Sequence, residues 1–90
     1  MESFNRGENM RYYVTVMGFK AKDKDRIMKV CREIYERDKT FVWAVNPSKF
    51  DKYDYVLRIK SEDLDTAHKR GLLLTRKYLE DLNLSYWVVK

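Results

Sequence analysis

One histidine and one cysteine set the chemical repertoire of this chain, so a nucleophile, a base or a metal site would have to be built around His68, Cys31 and scattered carboxylates. Cys31 falls among apolar positions at helical spacing, where a thiol serves as a small core group rather than an activated nucleophile. His68 lacks a second His, a Cys or paired carboxylates at helical spacing beside it, as a metal site would require. Asp54, Asp63 and Asp65 read as a strand-edge charge and two helix N-terminal charges rather than an acid–base set. The turn after Gly18 carries Lys20, Lys22, Lys24 and Arg26 beside a helix start, which can hold an anion. The interleaved Asp23 and Asp25 would oppose a phosphate there, and no P-loop or dinucleotide fingerprint accompanies them. The expectation is a protein without metal or cofactor, and not an enzyme.

Binding surfaces are better represented. Lys69, Arg70, Arg76 and Lys77 fall within about 120° of a helical wheel at about 100° per residue, with Leu73 in the middle of that sector. An apolar anchor inside a charged rim is the anatomy of a protein interface, and the same cations suit nucleic acid. A second candidate surface combines Tyr13, Thr15 and Met17 of one strand with Arg58 and Lys60 of another.

These residues need elements to position them. RYYVTVMGF, residues 11–19, has the β-branched and aromatic composition of a strand, and both of its faces are largely apolar. After KAKDKD, where Asp23 or Asp25 can cap, a helix to about Arg37 places Ile27, Val30, Cys31, Ile34 and Tyr35 on one stripe. FVWAV, residues 41–45, is a second strand, closed by Asn46-Pro47. In the third, Tyr53 to Lys60, parity chooses Leu57 and Ile59 for the core and turns Arg58 and Lys60 away from it. Ser61-Glu62-Asp63 caps a long helix over residues 63–82, with Leu64, Ala67, Gly71, Leu74, Thr75, Tyr78 and Leu82 buried and Asn83 as a left-handed cap. LSYWVVK, residues 84–90, is the last strand. The expected fold is therefore α+β: a ferredoxin-like β-α-β-β-α-β sandwich, a four-stranded antiparallel sheet with two helices on one face and the first and third strands central.

Two families share that element order. Acylphosphatases have this fold and size, but their glycine-rich phosphate loop has no counterpart here. The RNA-recognition motif resembles the chain in offering aromatics on its first and third strands, here Tyr13, Tyr53 and Tyr55. KYDYVLRI lacks the motif's glycines, however, and displaying Tyr53 and Tyr55 would bury Arg58 and Lys60, at a prohibitive desolvation cost. What survives is a face on which Tyr13, Arg58 and Lys60 grip a phosphate backbone without reading bases.

Composition bounds the rest. Ninety residues with 44% apolar and 37% charged side chains make one folded domain, residues 11–90, after a leader over residues 1–10. A lone cysteine and a polar N-terminus point to a reducing, cytoplasmic setting, and no apolar run approaches the roughly 20 residues of a membrane span. The net charge of +5 is spread along the chain, with ten Lys/Arg against seven Asp/Glu in residues 1–45 and nine against seven in 46–90, so the excess is not held in a tail. The leading expectation is a protein-binding module: an inhibitor, an adaptor, a self-associating homodimer, or an accessory protein of a phage or mobile element. A nucleic-acid-binding module using the basic helix or the helix-free sheet face is the alternative. Partner-facing residues are expected to be Tyr13, Met17, Arg58, Lys60, Lys69, Arg70, Leu73, Arg76 and Lys77.

Overall fold

The computed structural model describes residues 12–90, so the expected leader over residues 1–10 lies outside the described residues. The elements are β1 (Tyr13–Phe19), a 3-10 turn (Ala21–Asp23), α1 (Lys24–Arg37), β2 (Val42–Pro47), β3 (Tyr55–Ser61), α2 (Leu64–Leu72) and β4 (Trp87–Val89). The fold is α+β: the four strands pair antiparallel in the order β2-β3-β1-β4, which puts β1 and β3 in the centre.

Register decides which side chains meet the helices. Met17 lies opposite Leu57 and Thr15 opposite Ile59, and Leu57, Ile59, Met17 and Phe19 join Ile27, Val30, Cys31 and Ile34 of α1 in one buried core. Thr15 is buried on the same side, and its hydroxyl donates to the Ala67 carbonyl of α2 at 2.7 Å. The expected parity of β1 is thus reversed, because Thr15 and Met17 are core residues. The helix-free face carries Val14, Val16 and Gly18 instead, in register with Lys60, Arg58 and Val56. Two apolar faces left the choice to the partner strand, and Leu57 and Ile59 made it. On β3 the expectation holds: Leu57 and Ile59 point inward and Arg58 is exposed.

In β2, Trp43 and Val45 pack against the core, while Asn46 and Pro47 continue the ladder opposite Val56 and Tyr55 rather than ending it. Proline, which has no N–H to donate, is tolerated here because β2 is an edge strand with no neighbour on its outer side. α1 buries Ile27, Val30, Cys31 and Ile34 as expected, whereas Tyr35 is exposed at its rim. Asp23 occupies the N-cap position of α1 but makes no side-chain cap.

α2 departs most from its expected form. Asp63 caps it as expected, accepting from the Thr66 backbone N–H at 2.8 Å, but the α-helix ends at Leu72. A π-helical turn, Leu73–Tyr78, follows, and a 3-10 turn, Glu80–Leu82, ends at Asn83, whose φ of 58° is the left-handed cap. In the π turn the Leu79 N–H reaches the Leu74 carbonyl five residues back, at 2.8 Å. The Thr75 hydroxyl competes for a carbonyl of this stretch by donating to Gly71 O at 2.9 Å. The wider turn swings Leu79 into the core beside Leu74, a role that a continuous helix had given to Tyr78 and Leu82, which are only partly buried. Leu64, expected inside, is 47% exposed.

Candidate binding face of the sheet

The loop between β2 and β3 folds over part of the helix-free face. Its backbone is clamped by Ser48 N–H to Asp54 O at 2.9 Å and by Asp54 N–H to Phe19 O at 3.0 Å. The Asp54 carboxylate accepts from the Ala21 N–H at 2.7 Å, so this residue ties the loop to the end of β1. The loop thereby delivers the Tyr53 ring onto Gly18, where an added Cβ would come within 2.3 Å of it. Tyr53 stacks on Trp87 with centroids 6.4 Å apart, and Phe50 meets Trp87 edge-on at 6.1 Å. Trp87 pairs with Val16, which places this aromatic cluster on the helix-free side and explains why Val16 and Val56 are buried although no helix covers them. Phe50 remains 51% exposed.

Beyond the cluster the face is cationic. Arg58 is exposed between Ala44 and Val16 and has no ion pair among the described residues. Two positions along, the Lys60 ammonium lies 4.5 Å from the centroid of Tyr12. The strand rise separates Arg58 from Lys60 by about 6.6 Å. The face therefore runs from an aromatic cluster (Phe50, Tyr53, Trp87), across Arg58 and Lys60, to a further aromatic ring, Tyr12.

The other expected site residues scatter. Tyr13 lies on the helix side of β1, half-buried, with the Lys90 ammonium 5.8 Å from its ring centroid; the tyrosine beside Lys60 is its neighbour Tyr12. Met17 is in the core and presents no surface. On α2, Lys69 is ion-paired with Asp65 at 3.2 Å. Arg70, its side chain only 11% exposed, donates to Lys60 O at 3.2 Å, Ser61 Oγ at 3.1 Å and Thr40 Oγ1 at 2.7 Å, and lies over Phe41. That geometry makes it an internal tie between α2, β3 and the start of β2. Leu73 packs partly buried against the core and is no exposed centre for the cations. Arg76 and Lys77 are exposed but sit on the π turn, where the angular spacing that grouped them with Lys69 and Arg70 no longer applies.

Cys31, His68 and two of the cations near the start of α1 have structural surroundings of their own. Burial pushes the Cys31 thiol up to about 12, leaving it protonated and unreactive at neutral pH. His68 Nδ1 is 3.0 Å from the Tyr86 hydroxyl. Arg26 forks onto Asp81 at 2.5 and 2.7 Å, and Lys24 lies over Tyr55, so two of the four cations near the first helix start have partners. Among the described residues no group of three or more His, Cys, Asp or Glu is placed to hold a metal, and no helix is long and apolar enough to cross a membrane. Comparison with protein-family models, with curated proteins and with solved structures returns no match for this chain.

Proposed function

We propose that this chain is a non-enzymatic, ferredoxin-like binding module that holds single-stranded nucleic acid across its helix-free sheet face. The observation that carries the reading is Arg58, an exposed guanidinium at the centre of that face, flanked by the Phe50–Tyr53–Trp87 cluster on one side and by Lys60 and Tyr12 on the other. Cations spaced along a strand follow a phosphate backbone, and neighbouring aromatic rings accept unpaired bases by stacking. The same charges disfavour self-association through this face, since a two-fold pairing would bring the cationic surfaces of both copies together. The buried thiol of the lone cysteine supports a reducing compartment.

Fluorescence anisotropy with labelled single-stranded oligonucleotides over a salt series tests this. Affinity is expected to fall with salt, with a log–log slope of about −0.7 per phosphate contact, and Arg58→Ala should flatten the slope by about one contact. Arg76→Ala and Lys77→Ala should leave it unchanged. Failure of every oligonucleotide to bind at low salt refutes the reading.

A protein partner is the second reading, favoured by one observation at the β2 edge. There Val42 is 51% exposed beside a groove of about 540 Å³ lined by Tyr35, Phe41 and Trp43. An exposed edge strand is a template for strand addition. Val42→Lys should abolish association at this edge in sedimentation experiments.

A further inference from the structure

A second cavity, of about 460 Å³, opens where the cationic face meets α2, and its walls include Tyr12, Val42, Lys60, Glu62, Asp63 and Arg70. That volume lies within the range of small-ligand sites, roughly 300–1,000 Å³. Its two carboxylates differ in kind. Asp63 is engaged, accepting from the backbone N–H and hydroxyl of Thr66. Glu62 is exposed and has no hydrogen bond or ion pair among the described residues. A carboxylate opposes a phosphate, so at the end of a phosphate-binding track it works against the backbone; it can, however, accept hydrogen bonds from a base edge. Guanine alone among the bases presents two adjacent donors, N1–H and the N2 amino group, to the two oxygens of one carboxylate. Tyr12 supplies a ring on which that base can stack.

We propose that this cleft is a guanine pocket at the end of the nucleic-acid track, with Glu62 accepting from N1–H and N2–H and Tyr12 stacking on the base. The assignment rests on the nucleic-acid reading above and adds base selectivity to it. Arg58 holds the backbone without regard to sequence, and Glu62 selects.

Anisotropy with single-stranded octamers of thymidine, or of uridine in the ribose series, each carrying one guanine, adenine or cytosine at successive positions, tests it. At one position guanine should bind about tenfold more tightly than adenine or cytosine, the scale of one good bidentate base contact. Glu62→Ala should erase that preference while leaving affinity for the unsubstituted octamer equal or higher, because a charge that repels phosphate is gone. Arg58→Ala should weaken all octamers alike and keep the preference. Comparing the two series shows which backbone is favoured. Arg58-dependent binding without a guanine preference, or a preference that survives Glu62→Ala, overturns the pocket and leaves the broader reading standing. If no octamer binds, both fall.

Discussion

The ring of Tyr53 lies over Gly18 so closely that a Cβ on that residue would sit 2.3 Å from the ring. Glycine here removes the side chain that would keep the loop off the sheet, and the aromatic cluster on the helix-free face depends on it. Gly18→Ala should therefore displace Tyr53, break its stacking on Trp87 and cost about 1–3 kcal/mol, the range for overpacking. In a Tyr53→Ala background the same change should cost far less. A double-mutant cycle by urea unfolding reads the coupling, and equal costs in both backgrounds would refute the arrangement.

Arg70 is predicted to act on stability rather than on partner binding. Arg70→Ala leaves the Ser61 and Thr40 hydroxyls and the Lys60 carbonyl without their donor, and should destabilise by about 1.5–3 kcal/mol. Arg70→Lys should recover little, since one ammonium cannot reproduce the planar fork or its packing over Phe41.

The π turn makes a prediction that a regular helix would invert. Leu79→Ala should cost about 2–5 kcal/mol, comparable to Leu74→Ala, because both side chains are fully buried. Leu82→Ala should cost clearly less. If Leu82 proves the more sensitive, the helix continues without the wider turn.

Acid should lower stability in part through three aspartates whose carboxylates accept hydrogen bonds in the fold. Hydrogen bonds from the Thr40 side chain and backbone hold Asp38 below its ordinary value of 3.8; the Thr66 backbone N–H does so for Asp63 and the Arg26 guanidinium for Asp81. For a carboxyl whose folded-state pKa is depressed, the stabilisation is complete above the unfolded-state value and is lost as pH falls through the folded-state value. Stability should thus fall with acidification below pH 3.8, and Asp63→Asn should make that limb shallower. An unchanged acid limb in Asp63→Asn would exclude its contribution.

Cys31 should react with thiol reagents only as fast as the protein opens, because its thiol is buried and pushed up to about 12. Cys31→Ala should lower stability by about 1 kcal/mol through a small cavity and leave binding intact. Fast labelling of the native protein would contradict this placement.

Much of the architecture was legible in local patterns. The order of elements, the inward facing of Leu57 and Ile59, the Asp63 cap and the Asn83 left-handed turn all follow from forces acting within a few residues: parity, capping and tolerance of positive φ. A correct signal for β1 was also present, since Phe19 continues the Tyr13–Thr15–Met17 face and Gly18 the other. Composition could not rank those faces, because each is apolar enough to be buried. Likewise nothing in the helical periodicity of residues 63–82 announces a π turn, and one inserted residue moved Leu79 inward and broke the grouping of Leu73 with the cations.

The sequence by itself determined the kind and order of the main strands and helices, because hydrophobic period and turn chemistry are local. Tertiary structure decided which face of β1 meets the helices, that Arg70 is spent inside the fold, and that Tyr12 rather than Tyr13 stands beside Lys60. It also brought Phe50, Tyr53 and Trp87 together from segments more than thirty residues apart in the chain. Such proximity is set by strand register and by a loop folding back on the sheet, and both depend on contacts between residues distant in sequence, which a local pattern does not encode.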